Sequence, residues 1–232
     1  MSSDQTDGRE TVELVRRTLG SLLGPGDLGA LMARAGVGKT ACLTHIALEH
    51  LLADQAVLHV CIGGPAEKIK IWYQELIKNL HRSLPRDDCA ARQRHIESRR
   101  FILAYLHSTF NPGKLELSLK NLEEQTDFHP SLIVLDGLDF ERDPRATTEE
   151  LQGFARAHAV SMWMSIRTHR HIDVVNQHGI PYPCHETDDL FKAILLLEHR
   201  SKAIDVRVLK RGESYRPEQA DVFLNPQTFL LG

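Results

Sequence analysis

A glycine-rich segment between a predicted strand and a predicted helix constrains this chain more than any other feature. The run Leu28–Met32 is short and apolar, and Thr40–Leu52 has helical apolar spacing without Pro or Gly. Between them the sequence ARAGVGKT supplies Gly36 and Gly38, which allow backbone N–H groups to turn inward around an anion. The sequence therefore predicts a strand, a phosphate-binding loop and a helix.

The polar residues of this segment fit the P-loop pattern, with Ala33 in place of its first glycine. Lys39 would reach the β- and γ-phosphate oxygens of a nucleotide, and Thr40 would offer its hydroxyl to Mg²⁺. The alternative is a glycine-rich turn with a solvated lysine. The predicted nucleotide-binding residues are Ala33, Arg34, Ala35, Gly36, Val37, Gly38, Lys39, Thr40 and Ala41.

A second signature is the apolar run Leu132–Leu135 followed by Asp136. A carboxylate at the end of a buried strand supports Mg²⁺ beside a P-loop. The alternative is an aspartate that caps the turn before Gly137. We predict a magnesium site formed by Thr40 and Asp136, with ATP and Mg²⁺ as the ligands.

The rest of the chain alternates short apolar runs with helical patterns, which predicts an α/β protein with a mostly parallel central sheet and helices on both faces. The last predicted strands have no helix between them, so we expect antiparallel C-terminal strands. We expect a disordered tail over residues 1–8 and a single ATP-binding domain over residues 9–232, beginning with an amphipathic helix at Arg9–Leu23. Further strands are predicted at 56–62, 101–106, 160–166, 191–198, 203–209 and 221–224, and helices at 66–84, 114–125 and 147–159, the last capped by Thr147 or Thr148.

Composition narrows the functional classes. No apolar stretch is long enough for a membrane span, and the N-terminal MSSDQTDGRE lacks the parts of a secretion signal, so we expect a cytoplasmic protein with no membrane partner. The net charge of −3 gives no global attraction to nucleic acid, which would need a local basic patch. The scattered cysteines form no CxxC pair.

On these motifs the chain resembles the RecA-like ATPases, in particular the branch of KaiC and the DnaB-type helicases. The similar segments are LLGPGDLGALMARAGVGKT, VLHVCIGGPAEKI, SLIVLDGLD and DDLFKAILLLEHRSKAIDVRVLKRGE, which together span most of residues 20–212. The resemblance implies ATP at the carboxyl ends of the parallel strands, a role for Lys39 and Asp136 in the reaction, and assembly into a homo-oligomer such as a hexamer, or binding to a protein partner.

Gly63 stands where this family usually has the glutamate that positions the attacking water. A positioned general base contributes about 10²- to 10⁴-fold in rate, so its loss predicts a nucleotide binder or a slow ATPase. Glu67 or Asp139 could substitute for it. The resemblance also implies that Arg211, in the turn Lys210-Arg211-Gly212, enters a neighbouring subunit's site, although a solvated turn is the alternative, and that Ser165 and Arg167 lie where the family senses the γ-phosphate.

Three other groups of residues have alternative interpretations. The histidine-rich segment 169–185 lacks the spacing of a zinc site and corresponds to a substrate-contacting loop of the family. The arginine-rich segment 82–100 has no interleaved aromatic residues, which favours a solvated face over a nucleic-acid surface. Trp72, Tyr73 and Trp163 are interpreted as core or interface residues.

The hypothesis from the sequence is an ATP- and Mg²⁺-binding protein, a slow or regulatory ATPase whose nucleotide state controls oligomer or partner interaction. The first alternative is a DNA-dependent recombination or helicase-type ATPase, which would be stimulated by DNA in a salt-dependent way. A small-molecule kinase is the last alternative, because no arginine-rich lid segment is visible.

Overall fold

The computed structural model of the protein describes residues 19, 22–82, 89–200, 203–225 and 231. The tail and most of the predicted lead-in helix lie outside these residues, so the predicted domain limits stay a prediction. The strands are β1 (Leu28–Ala33), β2 (Val57–Ile62), β3 (Arg100–Tyr105), β4 (Leu132–Asp136), β5 (Ser161–Arg167), β6 (Ala193–Arg200), β7 (Ala203–Arg211) and β8 (Glu218–Leu224). The helices are α1 (Lys39–Leu52), α2 (Ala66–Arg82), α3 (Cys89–Ser98), α4 (Pro112–Thr126) and α5 (Pro144–Ala157).

The strands form one sheet in the order β3-β2-β4-β5-β1-β6-β7-β8. Every pairing from β3 to β6 is parallel, and the β6–β7 and β7–β8 pairings are antiparallel. The predicted fold class is therefore confirmed. The carboxyl ends of β1, β2, β4 and β5 meet at one edge of the sheet, which is where open α/β sheets bind ligands.

Two apolar cores, one on each face, hold the helices to the sheet. Helices α1, α2 and α3 contribute to the first core, through residues such as Ile46, Tyr73 and Ile96. Helices α4 and α5 contribute to the second, through residues such as Leu119 and Phe154. Alternate residues of the central parallel strands contribute to opposite cores, which explains why these strands are almost continuously apolar.

Close packing beneath the central strand depends on one glycine. A Cβ atom at Gly29 of β1 would lie 2.5 Å from Cε3 of Trp163, whose ring fills the space beside the strand. Trp163 is 1% exposed, and Tyr73 on α2 is fully buried. These two aromatic residues are core residues, as predicted.

Helix α5 begins three residues earlier than its predicted start. Pro144 occupies its first turn, where a missing N–H costs nothing, and Asp143 is the N-cap residue without a side-chain cap bond. Thr148 is buried within the helix and donates its hydroxyl to the carbonyl oxygen of Pro144 at 2.6 Å. The predicted cap at Thr147 or Thr148 is therefore wrong.

In the described part of the chain, no helix is both long enough and apolar enough to cross a lipid bilayer.

Candidate functional site

A cavity of about 730 Å³ opens at the carboxyl edge of the sheet. Its walls come from the β1–α1 loop, from the ends of β2, β4 and β5, and from the segments that follow β2, β3 and β4. The volume suits a ligand of nucleotide size, since small-molecule pockets span roughly 300–1,000 Å³. The lining residues are Ala35, Gly36, Gly38, Lys39, Thr40, Ala41, Cys61, Ile62, Gly63, Gly64, Lys68, Trp72, His107, Asp136, Gly137, Leu138, Asp139, Phe140, Glu141, Ser165 and Arg167.

The β1–α1 loop has the backbone of an anion cradle. Gly36 and Gly38 have φ angles of 79° and 107°, in the left-handed region that side chains disfavour. Gly38 is the N-cap of α1, no side chain caps this helix end, and no acidic residue lies in its first turn. The amides of that first turn and the positive end of the helix dipole therefore remain available to a negatively charged ligand.

Most of the predicted nucleotide-binding residues meet at the cavity. Those from Ala35 to Ala41 line its wall, except Val37, which packs into the first core. Ala33 ends β1 as a buried residue, and Arg34 is exposed. Ala33 and Arg34 contact the lysine of the loop through their carbonyl oxygens.

Lys39 places its ammonium group over this loop. Its Nζ donates to the carbonyl oxygens of Ala33 at 2.9 Å and Arg34 at 3.0 Å. Burial lowers the pKa of Lys39 to about 8; Asp136 opposes this shift, and repulsion from Arg167 and Lys68 adds to it. Solvent and protein thus compensate the charge of this partly buried ammonium group incompletely, and an incoming anion would stabilise its charged form.

Thr40 and Asp136 form the second part of the site. The hydroxyl of Thr40 donates to Oδ2 of Asp136 at 2.6 Å, across 96 residues of sequence. Asp136 ends β4 in register with Cys61 of β2, and the backbone turns sharply at Gly137, where a Cβ would lie 2.2 Å from the carbonyl oxygen of Ile62. A hydroxyl and a carboxylate are oxygen ligands of the kind Mg²⁺ prefers, so this pair fits a magnesium ion.

Two further cations, Lys68 of α2 and Arg167 at the end of β5, line the same cavity. Both repel the ammonium group of Lys39 and lower its pKa. Lys68 was not predicted as a site residue; the signal for it was its place in the first turn of the helix after β2. The cavity is also lined by three carboxylates, so it is the local positive charge around Lys39, and not the cavity as a whole, that is suited to a polyanion.

Gly63 has no side chain to extend into the cavity, and the imidazole of His107 fills the space beside it. Gly63 has a φ of 75°, and a Cβ there would lie only 1.9 Å from Nε2 of His107. His107 follows β3 and lines the cavity. This residue was not predicted from the sequence, because a single histidine two residues beyond a strand belongs to no motif.

The two residues predicted to replace a glutamate at position 63 are placed differently. Asp139 lines the cavity. Glu67 is absent from the lining; its side chain is 71% exposed and pairs with Lys70 at 3.1 Å. Ser165 lines the cavity and accepts a hydrogen bond from the N–H of Gly137 at 2.8 Å, which ties β5 to the turn after Asp136.

Arg211 was predicted to enter a neighbouring subunit's site, and it lies far from the cavity of its own chain. It ends β7 opposite Ala193, which is beside Gly29 near the amino end of β1. Its side chain is exposed at the edge of the sheet opposite the P-loop. Lys210 is only 3% exposed, donates to the carbonyl oxygen of Asp188 at 2.7 Å, and lies over the ring of Tyr215.

Two histidines of the histidine-rich segment contact side chains that lie near them in the fold. His169 pairs with Glu141, which lines the cavity, and His178 stacks on Tyr215 with ring centroids 4.0 Å apart. Among the described residues, no group of three or more His, Cys, Asp or Glu side chains could hold a metal ion. Trp72, interpreted from the sequence as a core or interface residue, lines the cavity.

Together, the mostly parallel sheet, the glycine-rich loop after β1 and the aspartate at the end of β4 have the arrangement of a RecA-like α/β fold. No protein-family profile and no curated protein sequence matches the chain. Among solved structures, it is similar to the crystal structure of KaiC-like protein PH0186 from the hyperthermophilic archaeon Pyrococcus horikoshii OT3, with a TM-score of 0.59 and 12% identity. The match covers 90% of each chain, and at this identity it shows a shared fold.

Proposed function

We propose that the protein binds ATP with Mg²⁺ in this cavity, hydrolyses it slowly, and uses the nucleotide state to control association with other copies or with a partner protein. The observation that carries the proposal is the arrangement of Lys39 beside the Thr40–Asp136 pair. An ammonium group over a glycine-rich loop suits phosphate oxygens, and the adjacent oxygen pair suits the metal that accompanies them.

The charges of the cavity support a phosphate-rich ligand. Lys68 and Arg167 repel Lys39, and burial removes much of the water that would otherwise screen it. The negative charges of a nucleoside triphosphate would offset this repulsion, because its phosphates would lie beside the three cations. Thr40 and Asp136 would hold Mg²⁺, which neutralises negative charge on the phosphates during transfer.

Slow turnover is proposed because the chain provides no carboxylate at position 63 and directs Glu67 to solvent. Without a glutamate there, we expect a rate well below the roughly 1–100 s⁻¹ of kinases. A nucleotide that is hydrolysed slowly stays bound for longer, which suits control of association better than rapid mechanical work.

The position of Arg211 supports a role in association. It is exposed at the edge opposite the P-loop, so it cannot reach its own cavity without refolding. In a head-to-tail oligomer, this edge would face the cavity of the next subunit. A cation supplied in this way stabilises the charge that develops on the transferred phosphate.

The test combines binding with solution size. Lys39→Ala is expected to abolish binding of Mg·ATP, whereas Lys120→Ala, on the exposed face of α4, is the matched control and should bind normally. Light scattering would then give the mass of the wild type with ADP, with a non-hydrolysable ATP analogue and with neither. Unchanged ATP affinity in Lys39→Ala would refute the site, and one mass in all three states would refute control of self-association.

The DNA-dependent alternative makes a different prediction, because DNA should then accelerate hydrolysis with strong salt dependence. Two arginines at the end of the arginine-rich segment make contacts within the protein. Arg99 donates to the carbonyl oxygen of Asp54 at 2.7 Å, and Arg100 lies 4.2 Å from the ring centroid of Tyr73. These two cations are occupied by contacts within the protein.

A further inference from the structure

We propose that His107 is the catalytic base of this site, accepting a proton from the water that attacks the γ-phosphate. The inference rests on the proposed function, because it requires ATP in the cavity. It adds the group that makes slow hydrolysis feasible in a chain with glycine at position 63.

The first observation is the way in which His107 and Gly63 fit together. A Cβ at Gly63 would lie 1.9 Å from Nε2, 2.2 Å from Cδ2 and 2.7 Å from Cε1 of His107. The Nε2 edge of the ring thus occupies the space where a side chain at the end of β2 would begin. Only glycine at position 63 leaves room for the imidazole in this position.

The second observation is the proximity of this edge to the Thr40–Asp136 pair. Strand β2 lies between β3 and β4. Gly63 is two residues beyond Cys61, which is in register with Asp136. The imidazole, the Thr40 hydroxyl and the Asp136 carboxylate all line the same cavity. A water molecule beside the phosphates would lie between the imidazole and the metal ligands.

The third observation concerns which polar groups of the cavity have no partner within the protein and can bind a water molecule. Asp139 accepts the N–H of Glu141 at 3.3 Å, and Glu141 pairs with His169. His107 has no hydrogen bond or ion pair with any residue that the structure describes. Its imidazole is therefore available to a water molecule, and a neutral imidazole is a good proton acceptor near pH 7.

The proposed step is a simple hydrolysis. The water oxygen forms a bond to the γ-phosphorus while Nε2 of His107 takes a proton from that water. The bond between the γ-phosphorus and the β–γ bridging oxygen breaks, and its electron pair stays on ADP. The products are ADP and inorganic phosphate, and His107 then releases its proton to solvent.

The first experiment replaces the imidazole with an amide. His107→Gln can still hydrogen-bond but cannot accept a proton at neutral pH, so the hydrolysis rate should fall by about 10²- to 10⁴-fold. The dissociation constant for Mg·ATP should stay unchanged. His129→Gln, at an exposed histidine between α4 and β4, is the matched control and should keep the wild-type rate.

A second measurement does not depend on turnover. ADP with aluminium fluoride imitates the transferred phosphate together with its attacking water, and transition-state analogues use contacts that the ground state lacks. His107→Gln should bind this analogue much more weakly than the wild type does, while its affinity for ADP is preserved. A merely structural histidine would change both affinities or neither.

The pH profile and a carboxylate variant complete the test. The wild-type rate should decline at acidic pH, where a base is lost to protonation. In His107→Glu this decline should move to lower pH, because a carboxylic acid is a stronger acid than an imidazolium.

The outcomes separate the inference from the proposed function. Failure of the wild type to bind Mg·ATP would refute the proposed function and the inference together. Normal binding without hydrolysis, or hydrolysis that His107→Gln leaves intact, would refute the role of His107 alone.

Discussion

Binding of nucleotide should draw a proton onto Lys39, and the extent of this uptake follows from the structure. The pKa of Lys39 is lowered to about 8 in the free protein, mainly by burial. A phosphate charge about 3 Å from Nζ contributes about 5 kcal/mol at an effective dielectric constant of about 20, which raises the pKa well above its ordinary value. Bound protein should therefore carry a fully charged Lys39 between pH 7 and 9.

The magnitude follows from the neutral fraction of free Lys39. Binding should take up about 0.1, 0.5 and 0.9 protons at about pH 7, 8 and 9. Because only the charged form binds well, the apparent dissociation constant should increase about tenfold between about pH 7 and 9, a loss of about 1.4 kcal/mol. The direction of this change follows from the charge. Lys39 must be protonated to bind the phosphates, so the affinity for nucleotide falls as the pH rises through the pKa that Lys39 has in the free protein.

The assay is calorimetric titration with Mg·ADP at each pH, in two buffers of different ionisation enthalpy. Lys68→Met is the informative variant: without the repulsion from Lys68, the pKa of Lys39 rises and the midpoint of proton uptake should move to higher pH. Lys120→Met, far from the cavity on α4, should leave the midpoint unchanged. Binding without proton uptake across this range would refute the assignment of the buried cation.

Three further predictions concern the metal ligands and the packing. Thr40→Ala should weaken Mg·ATP binding and leave Mg²⁺-free ADP binding intact, as measured by titration with and without the metal. Gly29→Ala should reduce the free energy of unfolding by about 1–3 kcal/mol in urea denaturation, because its Cβ would overlap the ring of Trp163. Lys210→Met should cost about 1–3 kcal/mol in the same assay, because the buried carbonyl of Asp188 loses its donor.

Each of these predictions has a matched control. Thr44→Ala, one helical turn beyond Thr40, removes a hydroxyl that donates within α1 and should leave the metal dependence unchanged. Gly153→Ala lies in α5 with nothing within 4 Å of its new Cβ and should stabilise the protein by about 1 kcal/mol, the opposite sign to Gly29→Ala. Lys192→Met removes an exposed lysine and should be nearly neutral. If a control variant changed the measured quantity in the same way as its test variant, the physical cause given for that prediction would be contradicted.

The fold was predictable because the strands are short, apolar and separated by helical patterns or turns. The sequence also indicated which residues come together, since Gly36, Gly38, Lys39 and Asp136 fit a phosphate-binding pattern and all line one cavity; their binding of phosphate stays a prediction. The start of α5 was not predicted, because Thr147 and Thr148 resemble cap residues while Pro144 already begins the helix. Local patterns do not show which of two adjacent starts the tertiary packing selects.

Residues that reach the site from separate strands were harder to predict. His107 and Lys68 belong to segments after β3 and β2, and only the sheet order brings them beside the P-loop. Lys210 looked like part of a solvated turn, yet packing of the loop around Asp188 and the ring of Tyr215 buries it. These placements depend on contacts between residues distant in sequence, which a single sequence does not encode in a readable pattern.

The most direct test of the central claim is a crystal structure with Mg²⁺ and a non-hydrolysable ATP analogue. The account predicts phosphates within the 33–40 loop, Nζ of Lys39 moved from the carbonyl oxygens of Ala33 and Arg34 onto a phosphate oxygen, and a metal ion held by Thr40 and Asp136. Nucleotide bound elsewhere at saturating concentration, with Lys39 still on those carbonyls, would contradict it.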